Sequence, residues 1–235
     1  MTTEINIKQK QLELASSIGK LLRDHFGKGP ESIYVTISDP YVTVYLRNFL
    51  TPMEQALLKE HHSITVEETR DKLMHGLAPE MKELIKSVSG IEIEEFYYDW
   101  TLQSASGLFM GIGIEKEPLP DFSYPNSDKV ESLVSIVSKE AEKVPEKIYS
   151  HLFNSRTLVI IRKGILVEIE KMLIELGFEE ELTIAKRKLE KGLLYKRQDH
   201  FEKYLNAQLQ DVFVNWDFKL DKSTIVFILN PNKIE

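Results

Sequence analysis

The chain predicts an α+β protein built from two tandem α-β-β-α-α-β-β repeats, and three observations predict it. Segments recur along the sequence: Pro30-Glu31-Ser32-Ile33-Tyr34 returns as Pro145-Glu146-Lys147-Ile148-Tyr149, and Val44-Tyr45-Leu46-Arg47 as Val159-Ile160-Ile161-Arg162. One inserted residue later, Glu54 and Leu57 return as Glu170 and Leu173, and Asp99 precedes Phe109 as Asp217 precedes Phe227. Such self-similarity signals duplication. The second observation is periodicity: apolar spacing of three and four marks helices, and strict alternation marks strands. The third is order. Strand pairs alternate with helices without βαβ units, which favours mainly antiparallel strands with helices packed on one face. The expected organisation is a first repeat over 1–114, a linker over 115–128 and a second, divergent repeat over 129–235, related by a pseudo-twofold.

In the first repeat, Leu12, Ala15, Ile18, Leu22 and Phe26 make one stripe, so a helix is expected over about 6–26. Gly27 suits the left-handed position after a helix, and Gly29-Pro30 stops it. Ile33, Val35 and Ile37, then Val42, Val44 and Leu46, alternate with polar and aromatic residues around Asp39-Pro40, which reads as a hairpin. Thr51-Pro52-Met53-Glu54 is a capping box with proline at the first helical position. Thr65-Val66-Glu67-Glu68 is a second box, opening a long helix with a kink or break expected around 75–79 at Gly76 and Pro79, and a stop at Gly90. Strands follow over 92–100 and 107–114. Pro118, Pro120 and Pro125 mark the linker. The second repeat is expected to place helices over about 129–142, 166–176 and 180–207, and strands over 147–153, 157–163, 210–218 and 223–229. There Thr51-Pro52 becomes Val167-Glu168, so the capping signal is lost.

Composition bounds the function. The chain of 235 residues carries no cysteine, which excludes disulfides, thiolate metal sites and cysteine nucleophiles. A net charge of −7 argues against a general affinity for nucleic acid. No run of about 18 apolar residues is present, so no membrane span is expected. Met1-Thr2-Thr3-Glu4 lacks the basic start of a signal peptide, which makes a cytoplasmic location the expectation.

Gly27, Gly29, Pro30, Leu50, Thr51, Pro52, Glu54, Gly90, Asp99 and Phe109 together resemble the MpsC-like family, the C component of a Na⁺-translocating, membrane-potential-generating system. The resemblance covers about 8–114 closely and the second half in outline. It implies a soluble accessory or regulatory protein of a bacterial cation or membrane-energetics system, and it supplies no catalytic residues. The implied partner is a membrane cation-transport complex.

Several clusters invite a chemical reading. Gly27-Lys28-Gly29-Pro30 lacks the strand before and helix after it that a phosphate loop needs, so it reads as a helix stop. Glu60, His61 and His62 lack metal-ligand spacing, because adjacent helical residues point about 100° apart. Arg47 and Arg162 sit at matching strand ends, with Asp99 and Asp217 as candidate partners. Tyr34, Tyr41, Tyr45, Tyr97, Tyr98 and Trp100 enrich the first repeat in aromatics, as core or as a partner surface. Lys186, Arg187, Lys188, Lys191, Lys196 and Arg197 read as a solvated helix face. The candidate ligand- or partner-binding set is Tyr45, Arg47, Tyr98, Asp99 and Trp100; no metal site and no cofactor are expected. A non-enzymatic partner-binding protein leads. A small-ligand sensor with a pocket between the repeats, and a hydrolase or transferase with a cleft near Arg47 and Asp99, stay open, as does a homodimer.

Overall fold

The computed structural model describes residues 2–114 and 122–231, with side chains from residue 6 onward. The chain divides into two units, Met1–Pro120 and Asp121–Glu235. Residues 115–121 of the expected linker lie outside the described residues.

The first unit opens on helix α1 (Thr2–Phe26), whose Leu14, Ile18 and Leu22 are fully buried. Gly27 ends it with φ +72° and donates its N–H to the Arg23 carbonyl at 2.9 Å. Strands β1 (Ser32–Ser38) and β2 (Tyr41–Arg47) form the expected hairpin, with Ser38 opposite Tyr41 and Ser32 opposite Arg47. Helix α2 (Pro52–Lys59) carries the full capping box: the Glu54 N–H donates to Thr51 Oγ1 and the Thr51 N–H to Glu54 Oε2. Helix α3 (Ser63–Ser89) follows, and Gly90 closes it with φ +82°.

One expectation for α3, its start, is corrected, and of the kink or break expected around 75–79 the break does not occur. The helix starts at Ser63 after His62, which makes no side-chain cap, so Thr65 lies inside its first turn. It also runs unbroken through Gly76 and Pro79. Proline inside a helix removes one backbone bond and crowds the carbonyl four residues earlier. Buried Leu77 and Met81 flank Pro79 and hold the helix to the core. Strands β3 (Ile93–Thr101) and β4 (Ser106–Gly113) complete an antiparallel sheet of order β1-β2-β4-β3.

The second unit repeats the topology. Helix α4 (Ser127–Ala141) precedes β5 (Lys147–Asn154), β6 (Thr157–Lys163) and α5 (Glu168–Glu175). The long helix expected over 180–207 is two helices, α6 (Glu179–Tyr195) and α7 (Gln198–Leu205). Neither Gly nor Pro marks the break at Lys196-Arg197, so the sequence gives no stop signal there. Strands β7 (Ala207–Asp217) and β8 (Lys222–Pro231) close a sheet of order β5-β6-β8-β7.

Strand register fixes which residues of the two units are equivalent, and it revises the repeat alignment. Ser32 lies opposite Arg47, and its counterpart Lys147 lies opposite Lys163. Arg47 is therefore equivalent to Lys163, and Leu46 to Arg162. The extra residue sits in the β5–β6 turn, where the register shifts between Leu152 and Asn154, rather than after the strand pair. Trp100 opposite Gly107 matches Trp216 opposite Ser223, so Asp99 corresponds to Asn215 and not to Asp217. A register shift between Ile93 and Glu95 recurs between Leu209 and Asp211, which confirms the frame.

Candidate functional site

The expected binding set is split by the fold. Arg47 is exposed at the end of β2, and among the described residues it forms no ion pair with Asp99. Tyr45 is buried and stacks on half-exposed Tyr34, with ring centroids 6.1 Å apart. Tyr98, Asp99 and Trp100 are consecutive on β3, where side chains alternate between sheet faces. Asp99 is buried and accepts the Trp100 N–H through Oδ1 at 2.7 Å. Tyr98 and Trp100 both pack against the first unit's core. Trp100 turns inward, and around it lies a group that the sequence reading missed.

That group is Arg70 of α3, fully buried. Its Nε and Nη2 grip Glu54 of α2 at 2.7 and 2.8 Å, and Nη2 also donates to the Phe49 carbonyl at 2.7 Å. A planar guanidinium matches a carboxylate in this two-pronged way; an ammonium does not. The guanidinium carbon stands 4.5 Å from the Trp100 ring centroid, 4.9 Å from Phe49 and 5.7 Å from Phe26. Its Nη1 has no hydrogen-bond acceptor and is enclosed by these rings, which supply cation–π attraction instead. Burial alone would raise the Glu54 pKa, but Arg70 and the Thr51 backbone outweigh it and hold the carboxyl below its usual value. Glu54 thus works twice, as the return arm of the capping box and as the counter-ion of Arg70.

The equivalent position in the second unit is Lys186 of α6, which bonds Glu170 of α5 at 2.6 Å. It also approaches Glu142, at the end of α4, to 2.6 Å, though off the axis of a good hydrogen bond. Its ammonium lies 3.6 Å from the Trp216 ring centroid. A second pair adjoins it: Arg162 of β6 bonds Glu190, Ser138 and Ser223, and Trp216 donates its indole N–H to Glu190 at 3.0 Å. Burial first, then the charge of Glu190, push the Glu142 carboxyl up to about 8, against the opposing pull of Lys186.

Lys186 and Arg187 are buried, which corrects the solvated-face reading of that basic run. Arg162 takes Glu190 rather than Asp217, whose Oδ1 accepts the Leu220 N–H. His61 and His62 are exposed, and among the described residues no group of three His, Asp or Glu is placed to hold a metal. An open groove of about 530 Å³ runs between α1 and α3, lined by Lys20, Asp24, Glu80 and Glu83 around Leu21 and Leu84. Among the described residues no helix is long and apolar enough to cross a membrane.

What these nodes do chemically is to lock helices together; each ties the helix after its hairpin to the long helix that follows. The capping-box glutamate, the buried cation sixteen residues on and the tryptophan recur in both units. A model of one family matches the chain twice, over residues 6–112 and 130–231, and its description is Na⁺-translocating membrane potential-generating system (MpsC). The chain belongs to the MpsC family. The MpsC matches fall within the two described units, α-β-β-α-α-β-β in the first and the same order with one further helix, α7, in the second, so the chain holds two MpsC copies in tandem. No curated protein and no solved structure matches it.

Arg70 had a legible signal. Val66, Arg70, Met74, Leu77, Met81 and Ile85 fall at helical spacing, and all are buried. An arginine inside an apolar stripe marks a buried, paired cation.

Proposed function

We propose that this chain is a non-enzymatic accessory protein of a Na⁺-translocating, membrane-potential-generating system, and that it works by binding a protein partner of that system on the cytoplasmic side. The observation that carries the reading is the double MpsC match, which spans nearly all of both units. The described charged clusters fit it: the buried ones are consumed in holding helices, which leaves surfaces rather than a reaction centre as the working parts. Partner binding needs no span of its own, in keeping with the helix hydropathy.

Deleting the gene in its own cell should lower the Na⁺-dependent membrane potential read by a potential-sensitive dye. The tagged chain should co-purify with a cation-translocating membrane complex. An unchanged potential together with failure to retain any such complex would remove the reading.

A further inference from the structure

Helix α5 of the second unit is apolar on two sides. Its inner side packs Leu173 and Ile174 against Leu166, Leu182 and Phe218. Its outer side leaves Ile169 and Met172 at 66% and 50% exposure, and beyond its end its C-cap Leu176 and then Phe178 stand at 63% and 48%. The C-cap Leu176 keeps right-handed helical dihedrals, so at about 100° per residue Ile169, Met172 and Leu176 fall within roughly 60° of one another and form one stripe. Single exposed apolar residues are ordinary; a stripe on one helix is a candidate contact surface.

The first unit shows that the fold does not demand this stripe. Thr51 and Glu54 of α2 match Val167 and Glu170 of α5, which sets the frame. In that frame Ile169, Met172, Leu176 and Phe178 correspond to Met53, Ala56, Glu60 and His62. One copy carries a single large apolar side chain there, Met53, beside Ala56, Glu60 and His62, and the other carries four.

The rim supplies the sign of the partner. Glu168 and Glu175 run along one flank of the stripe, and exposed Glu179, Glu180 and Glu181 open α6 beside it. Lys171, the one basic residue of α5, is bound to Glu168 at 2.7 Å. A negatively charged lipid surface would be repelled, and a second copy would set one acidic rim against another. Resting on the partner-binding reading above, we propose that the outer face of α5 docks a basic amphipathic helix of a partner protein, apolar side down on the stripe and lysines or arginines toward the glutamates. Helix-on-groove recognition reads apolar anchors at this spacing, and Met and Phe suit such a surface. Lys/Arg-rich segments are enriched on the cytoplasmic side of membrane proteins, so that chemistry is available there.

The test uses the full chain and a fluorescent synthetic peptide of about 18 residues, leucines on one helical face and lysines on the other. Anisotropy should report binding that weakens at least about tenfold in Met172→Glu/Leu176→Glu. Binding should weaken with added salt and in Glu175→Lys/Glu180→Lys. Met53→Glu in the first unit should leave it unchanged, and a leucine/glutamate peptide should bind at least about tenfold more weakly. All substituted residues except Met53 lie on the second unit's exposed face, and unchanged melting curves will show that each variant is folded. Equal binding of the two peptides, or full binding by Met172→Glu/Leu176→Glu, would overturn the proposal. So would phosphatidylglycerol vesicles that retain the chain through the same side chains, or a dimer that the double substitution dissolves. A membrane complex that co-purifies equally with Met172→Glu/Leu176→Glu would overturn it too, while leaving the accessory reading intact.

Discussion

At one pair of equivalent positions the first unit buries Leu46 and Met74, and the second buries Arg162 and Glu190. The surrounding framework is the same: the same strand order, the same register shift, a tryptophan on the third strand and a capping-box glutamate gripping a buried cation. The comparison teaches that this architecture accepts either an apolar contact or an ion pair at its centre, provided the pair is complete. A buried pair roughly offsets its own desolvation, whereas half of one does not. The second unit compensates by surrounding Arg162 with Ser138 and Ser223 and by giving Glu190 the indole N–H of Trp216.

The sharpest way to break the symmetry is Glu190→Gln, which strands the Arg162 charge. Urea unfolding of the second unit should show a loss of about 3–5 kcal/mol. Installing the first unit's residues together, Arg162→Leu with Glu190→Met, should be near neutral or stabilising by up to about 4 kcal/mol. If the double change harms stability as much as the single one, the two centres are not interchangeable. The chain's two tryptophans, Trp100 and Trp216, lie one in each node, so replacing either with Phe isolates the signal of the other unit.

Arg70→Leu should cost the first unit a similar amount, because Glu54 is then buried alone. Arg70→Lys, which borrows the second unit's cation, should cost less, about 1–3 kcal/mol, since an ammonium cannot span both Glu54 and the Phe49 carbonyl. A fully stable Arg70→Leu protein would show that Glu54 gains nothing from the pair.

The units should also respond to pH in opposite senses. Glu142 has its pKa raised to about 8 by burial and by Glu190, so the folded second unit holds a proton that the unfolded chain releases near 4.5. Its stability therefore falls as pH rises between those values. Glu54 has its pKa lowered, so the first unit gains stability above the ordinary carboxylate pKa and loses it on acidification below that. Thermal melts from pH 3 to pH 8, read separately through Trp216 and Trp100, test this: the Glu142 slope lies between its unfolded and folded values, and the Glu54 loss lies on the acid side of 4.5. Glu142→Gln should flatten the second unit's slope; a slope that survives would assign the proton to another group.

The smallest expected effects concern the caps. Val167 has no side-chain acceptor, and only the Glu170 half of its box is made. Thr51→Ala should cost about 1 kcal/mol, and Val167→Thr should gain up to about 1 kcal/mol by completing the box. Equal responses to the two changes would mean that tertiary contacts, not the cap, position these helices.

Most of the fold was legible because apolar period and turn residues agree over long stretches. The hairpins, the first capping box, the stops at Gly27 and Gly90 and the duplication all rest on such agreement. Register was less legible. A strand of alternating residues looks much the same after a shift of one, and aligning Arg47 with Arg162 equated an exposed strand end with a buried core position. The break at Lys196-Arg197 carries no local breaker, so it is a tertiary outcome. The buried cations were hidden because charge was read as exposure; Arg70 at a stripe position and Glu54 in its box were each visible, but their pairing required the three-dimensional frame.

Each sheet takes all its strands from its own half of the chain. On the ribosome, β4 emerges and can complete the leading sheet before any strand of the trailing sheet has emerged. Nothing in the first sheet's pairing waits for distant sequence, so the leading half can mature during synthesis and spare the growing chain an exposed, half-paired intermediate.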